Sequence, residues 1–176
     1  MKLYQYLNFK PQLGKEVFLA PGSIVIGRAF LGDHSNIWFN TVIRADVAEI
    51  RIGENTNIQD LCVLHVVEEC PLWIGKNVTV GHNVILHACK IEDSCLIGMG
   101  STILDGAVIG EGSLVASGSV VPPGKVFPPN SFILGSPAKV IRALRPDEKQ
   151  TYQNHYQTYV KYKNQYLNSN EFVQLK

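Results

Sequence analysis

No apolar run in this 176-residue chain approaches the ~18 residues needed to span a bilayer. Charge of one sign is lacking too. Sixteen Lys plus Arg stand against fifteen Asp plus Glu, for a net charge of +1. That balance gives no electrostatic reason to expect nucleic acid or an anionic membrane as a partner. The opening MKLYQYLNFKP has no apolar stretch of the kind a secretory signal carries. The four cysteines, Cys62, Cys70, Cys89 and Cys95, form no CxxC pair. Together these absences set the expectation of reduced thiols in a cytoplasmic protein. Disorder is excluded because 45% of the residues are apolar, enough to build a core.

What the chain does have is a period of six. Stepping from Leu13 gives Leu19, Val25, Leu31, Ile37 and Ile43, then Ile52, Ile58 and Leu64, then Ile74, Val80 and Leu86. From Ile91 the count runs Ile97, Ile103, Ile109, Val115, Val121, Phe127 and Ile133. Nineteen of these twenty positions hold Ile, Leu or Val. The fifth residue of the hexad is often small or β-branched, as at Ser23, Ala29, Thr41, Thr56, Cys62, Cys95 and Ser113, and Gly, Asn and Asp crowd the positions between. Six is neither a helical period nor a strand alternation. It suits a short strand and a corner, three times per coil, with the aliphatic residue inside and the small residue in the bend. Antiparallel hairpins need recurring turn pairs such as Asn-Gly, and none recurs here. The fold class is therefore all-β: a parallel β-helix of hexapeptide repeats over residues 1–145, followed by a C-terminal α-helix in residues 146–176 that packs on it. The phase slips predict bulges or loops at 48–51 and 70–73, and the proline-rich 122–130 predicts a tightened last coil.

The helix is expected over about 146–167. Pro146, Asp147 and Glu148 suit a first turn, and Tyr152, Tyr156, Tyr159, Val160, Lys163, Tyr166 and Leu167 recur at helical spacing. The tyrosine stripe covers a flank of the coil or a neighbouring subunit.

The register also places the histidines. His65 follows Leu64 and His87 follows Leu86, so both occupy one outward column on neighbouring rungs, about 4.8 Å apart. Two such rings can splay onto one ion, or they can be two exposed imidazoles with no role. His82 lies on the preceding face, five residues before His87, or roughly 16 Å of near-extended chain less a corner. It cannot easily reach the same ion from the same chain, whereas a second subunit around a threefold axis could supply it. Arg44 continues the His65–His87 column, with Asp46 two residues on as its acid partner, a plain salt bridge or a ligand-orienting pair. Asp60 lies in the column of His82, one rung earlier, where a carboxylate can orient a ligand. His34 and His155 are expected to be ordinary surface or hydrogen-bonded residues.

IRAD at 43–46, NIQD at 57–60, VLH at 63–65 and VTVGHNVILHACKIEDSCLIGMG at 78–100 resemble the gamma-class carbonic anhydrase family, and the ending GSPAK plus a long helix is similar too. The resemblance implies a left-handed coil and a homotrimer with three interfacial metal sites. It implies His65, His82 and His87 as ligands of zinc, or of iron or cobalt, which imidazole suits equally. Arg44 and Asp46 match an interface-stabilising pair, and Gln59 and Asn57 match residues that hold water and bicarbonate. Tyr159 matches a helix tyrosine near the site. The implied reaction is hydration of carbon dioxide to bicarbonate, with a proton shuttle to solvent. The family prototype carries glutamates near the site. Here Val47 follows Asp46 where an acid is expected, and Glu68, close after His65, is either a substitute shuttle or a solvated loop acid.

Two rival functions use the same repeat. One is a hexapeptide-repeat acetyltransferase using acyl-CoA, with one histidine as base. The other is a trimeric metal-binding scaffold with weak or no activity. Cys62 and Cys95 fit inward packing positions, and neither Cys70 nor Cys89 fits the ligand set.

Overall fold

The computed structural model describes residues 2–168 and Phe172. It is the parallel β-helix expected from the period, left-handed as the resemblance implies, with about seven turns and a helical C-terminus. The physical basis is visible in the starters. From Val25 to Ile133 every one of them points inward and is at most 5% exposed. Burial of such a side chain favours the folded chain by about 1.5–3 kcal/mol before entropy is counted. Leu13 stays 41% exposed, because no coil lies above the first one.

The corners explain the rest of the repeat. Asn40, Asn55, Asn77, Asn83 and Asn130 take positive φ of 56–58°, and the corner glycines of later coils, Gly100, Gly106, Gly112, Gly118 and Gly124, take 65–70°. Asn and Gly tolerate this left-handed region better than other residues. Leu61, at φ 62°, is an apolar exception. Buried fifth-position hydroxyls satisfy corner carbonyls: Thr41 donates to Gln59 O at 2.6 Å and Thr56 to Gly75 O at 2.7 Å. Cys62 and Cys95 do the same with their thiols, toward Gly81 O at 3.1 Å and Gly110 O at 3.2 Å.

Three faces result. One, the histidine face, stacks Val42–Ile52, Val63–His65, Ile85–His87, Thr102–Ile103 and Val120–Val121 in parallel. Its register sets Arg44 opposite His65 and His65 opposite His87. A second stacks Asn36–Ile37, Asn57–Ile58, Thr79–Val80 and Leu96–Ile97. The third stacks Leu72–Ile74, Lys90–Ile91, Val108–Ile109 and Val126–Phe127.

The phase slips fall at one corner, beyond the histidine face, and slightly earlier than the spacing suggests. Val42–Ile52 runs on as a single strand, and its register shift against Ile24–Leu31 falls between Gly27 and Ala29, opposite residues 46–49. The second insertion is a tight turn closed by Val67 and Cys70, so the chain is already a strand at Leu72. The prolines do not end the coil. Ser131–Gly135 continues it, and Ala138–Ala143 folds back antiparallel to close it.

The helical segment is broken in two, α1 (Pro146–Gln153) and α2 (Tyr156–Asn168). Glu148 anchors the start of α1, accepting from the Arg145 amide at 2.9 Å and from both Arg142 nitrogens at 2.6 and 2.8 Å. α2 lies on the second face, where the rings of Tyr159 and Tyr166 pack on Trp38 at 5.6 and 5.2 Å. Lys163 is fully buried there, 3.3 Å from Glu16.

Candidate metal centre

His65 and His87 stand at the end of the histidine face because each follows an inward leucine on a three-residue strand. In-register pairing brings their rings to a centroid distance of 5.1 Å, with His65 Nδ1 3.1 Å from His87 Nε2. Two imidazoles on one tetrahedral ion at about 2.0–2.1 Å would hold their ligating nitrogens about 3.3 Å apart. The observed spacing therefore fits a shared ion.

The remaining nitrogens are engaged. His65 Nε2 lies 3.1 Å from Asp46 Oδ1, and His87 Nδ1 contacts Asp105 Oδ1. Asp46 also accepts from Arg44 and from the Val47 amide at 3.0 Å. Burial works against the Asp46 carboxylate, but the hydrogen bonds from Arg44, His65 and Val47 outweigh it and hold the group below its ordinary value. Burial lowers His65, helped by Arg44 and His87 and opposed by Asp46. The shift favours the neutral imidazole, which is the form a metal requires.

His82 sits on a different edge. It follows Val80 by two residues on the helix-covered face, and its Nδ1 lies 2.7 Å from Asp60 Oδ2. The Phe39 amide donates to the other Asp60 oxygen at 3.3 Å. Among the described residues, no group of three or more His, Cys, Asp or Glu side chains is arranged to hold a metal ion. One chain thus presents a pair of imidazoles at one end of the histidine face and a single imidazole at the other.

The expected companions divide in the same way. Gln59 and Asn57 are buried on the second face near Asp60. Gln59 Nε2 donates to Asn57 Oδ1 at 3.2 Å, Asn57 donates to Thr79 Oγ1 at 2.9 Å, and Gln59 Oε1 has no partner among the described residues. Tyr159 is half-buried beside them. Burial and then the Asp60 charge push its phenol above the ordinary value. Glu68 is exposed on the Val67–Cys70 turn, and no hydrogen bond ties it to His65 or His87 among the described residues. The spacing missed Asp105. A signal was present, since Asp105 follows Leu104, the outward residue that continues the column Arg44, His65, His87 by one more rung.

Exposed apolar side chains flank both edges. Val63 and Ile85 stand on the histidine face and Leu61 at its corner, 41–56% exposed. Met99, in the column of His82, is 56% exposed.

A family model described as bacterial transferase hexapeptide (six repeats) matches residues 88–123. The chain is 47% identical to a protein of Geobacillus kaustophilus named carbonic anhydrase, over 83% of this chain and 80% of that one. It is 52% identical to the Bacillus subtilis protein named uncharacterized transferase YtoA, over 93% and 95% of the two chains. A crystal structure of a hexapeptide transferase family protein from Anaplasma phagocytophilum superposes with a TM-score of 0.90 at 37% identity, covering 93% of this chain and 97% of that one. With the repeat, the coil and these kinships in agreement, the chain belongs to the gamma carbonic anhydrase-like family of hexapeptide-repeat proteins.

Proposed function

We propose that the protein is a carbonic anhydrase working as a homotrimer, with a divalent metal held between subunits by His65 and His87 of one chain and His82 of the next. The observation that carries this reading is the pair of facing nitrogens, His65 Nδ1 and His87 Nε2, 3.1 Å apart. Support for sharing comes from His82, which lies at the corner where the helix-covered face meets the histidine face, at the opposite edge from His65 and His87. A head-to-tail contact repeated around a threefold axis brings unlike edges together and closes. The exposed Leu61, Val63, Ile85 and Met99 give that contact apolar area to bury.

When bound, a divalent transition metal supplies the Lewis acidity that makes hydroxide available near neutral pH. The chain's own residues do the remainder. Asp46, locked by Arg44, fixes the His65 ring, and Asp60 fixes His82. Gln59 offers its unpartnered Oε1 as an acceptor for water or bicarbonate, with Asn57 holding its amide. Tyr159, kept protonated by burial, is a donor at the same edge. Glu68 takes the proton to solvent. Zinc, iron and cobalt all suit the donor set.

The transferase names among the relatives favour acyl transfer from CoA as a second reading. A trimer that keeps metal without turnover is the scaffold variant of the first. Metal content with oligomer mass, followed by stopped-flow hydration of carbon dioxide with His82→Ala as control, tests these readings. About one ion per chain in a trimer, with hydration abolished in the variant, is the expected result. A metal-free protein would overturn the metal reading, and full loading without hydration would leave the scaffold.

A further inference from the structure

Each of the three histidines meets an aspartate from an adjoining coil: His65 meets Asp46, His82 meets Asp60, and His87 meets Asp105. We propose that Asp105 is a positioning residue that fixes the tautomer and direction of His87, so that its Nε2 lone pair is aimed at the ion. This inference rests on the metal reading above.

An ionised carboxylate accepts hydrogen bonds and cannot donate. Its contact with His87 Nδ1 therefore selects the tautomer with the proton on Nδ1. Nε2 is left as an acceptor, and Nε2 is the nitrogen that faces His65 Nδ1. Asp46 acts in the opposite sense on His65, taking the Nε2 proton and leaving Nδ1 as an acceptor. Two carboxylates thus turn both facing nitrogens into lone-pair donors. Lone pairs 3.1 Å apart repel unless a shared cation lies between them.

The backbone makes Asp105 suited to this work. It stands in a turn closed by the Ala107 amide on Leu104 O at 3.1 Å, with Gly106 at φ +68°, the conformation glycine supplies at the third position of a type II turn. The Gly106 amide donates to Ala88 O at 2.7 Å, and Asp105 O accepts from the Gly124 amide at 2.8 Å. Both flanks of the residue are pinned to the coils on either side. The carboxylate itself is 44% exposed, so its contribution to folding is small and its effect falls on the ring it holds.

The test uses the full-length protein, Asp105→Ala and Asp105→Asn. Zinc affinity is read by competition with a chromophoric chelator, and the cobalt(II)-loaded forms by their visible absorption. Oligomer mass and the unfolding midpoint of the metal-free proteins are measured in parallel. Asp105→Ala is expected to bind zinc ~10–100-fold more weakly, with a changed cobalt spectrum and an unchanged midpoint. Asp105→Asn keeps an acceptor oxygen without the charge and is expected to fall between. Wild-type affinity and spectrum in Asp105→Ala would overturn the inference and leave the metal reading standing. If Asp105→Ala does not fold, Asp105→Asn decides by the same two readouts. A wild-type protein that binds neither metal would overturn the inference and the metal reading together.

Discussion

His65 Nδ1 and His87 Nε2 face one another at 3.1 Å across adjacent rungs, and each ring's other nitrogen is taken by an aspartate. Both rings stand outside the core, on the outward column of the histidine face. Replacing either ring with alanine is expected to abolish zinc uptake while leaving the unfolding midpoint of the metal-free protein within a few degrees. Replacing His34, which pairs with the exposed Glu16, is expected to change neither. Metal analysis and thermal unfolding of His65→Ala, His87→Ala and His34→Ala check this.

The thiols give a second expectation. Burial, the largest influence on each, pushes Cys62 and Cys95 up to about 12 and raises Cys89 further. Cys70 is only half-buried, on the turn after His65. A thiol-reactive chromogenic disulfide at pH 8 is expected to label Cys70 alone in the native protein, because the thiolate is the nucleophile. The other three should react only in denaturant. Cys70→Ser should remove the native reaction.

Acid stability should report on Glu148. Its hydrogen bonds from Arg142, then from the Arg145 amide, hold the carboxyl down at about 2, against an ordinary 4.5. A lowered carboxylate contributes stability that is complete above its unfolded value and is lost as pH falls toward the folded one. Glu148→Gln is therefore expected to unfold at lower temperature than the wild type at pH 7. The difference should narrow as pH falls from about 5 and close near 2. A difference that is constant with pH would contradict the assignment.

The buried Lys163 behaves asymmetrically with its partner. Glu16 is 64% exposed and Lys163 fully buried, so only one of the two charges depends on the pair. Glu16→Ala leaves an ammonium buried without its anion and should cost about 1–3 kcal/mol. Lys163→Met removes the buried charge and leaves Glu16 in water, so it should be neutral or stabilising. Denaturant unfolding of the two variants gives the comparison.

The coil was legible because its cause is local. Each aliphatic starter and each small corner residue obeys one steric rule repeated along the chain, and the period carries that rule from Val25 to Ile133 without reference to anything distant. The column Arg44, His65, His87 was legible for the same reason. Asp105 was not, because its contact with His87 depends on which way two side chains lean across rungs, and the repeat does not encode that. The break between α1 and α2 also escaped the spacing, as the tyrosine stripe continues through Asn154 and His155 with no glycine or proline to mark the interruption. The antiparallel return of Ala138–Ala143 was hidden because a strand that closes a coil carries no hexad of its own.

In the proposed trimer one metal centre draws on two chains. Mixing His82→Ala with His87→Ala and reassembling them tests it directly. Each variant alone lacks one of the three ligands of every centre and should hold no zinc. In a random one-to-one mixture of trimers, every mixed ring regains one intact pairing, so about a quarter of the wild-type zinc should return. Zinc retained at wild-type level by either variant alone, or no recovery in mixed trimers whose assembly is verified by mass, would contradict it.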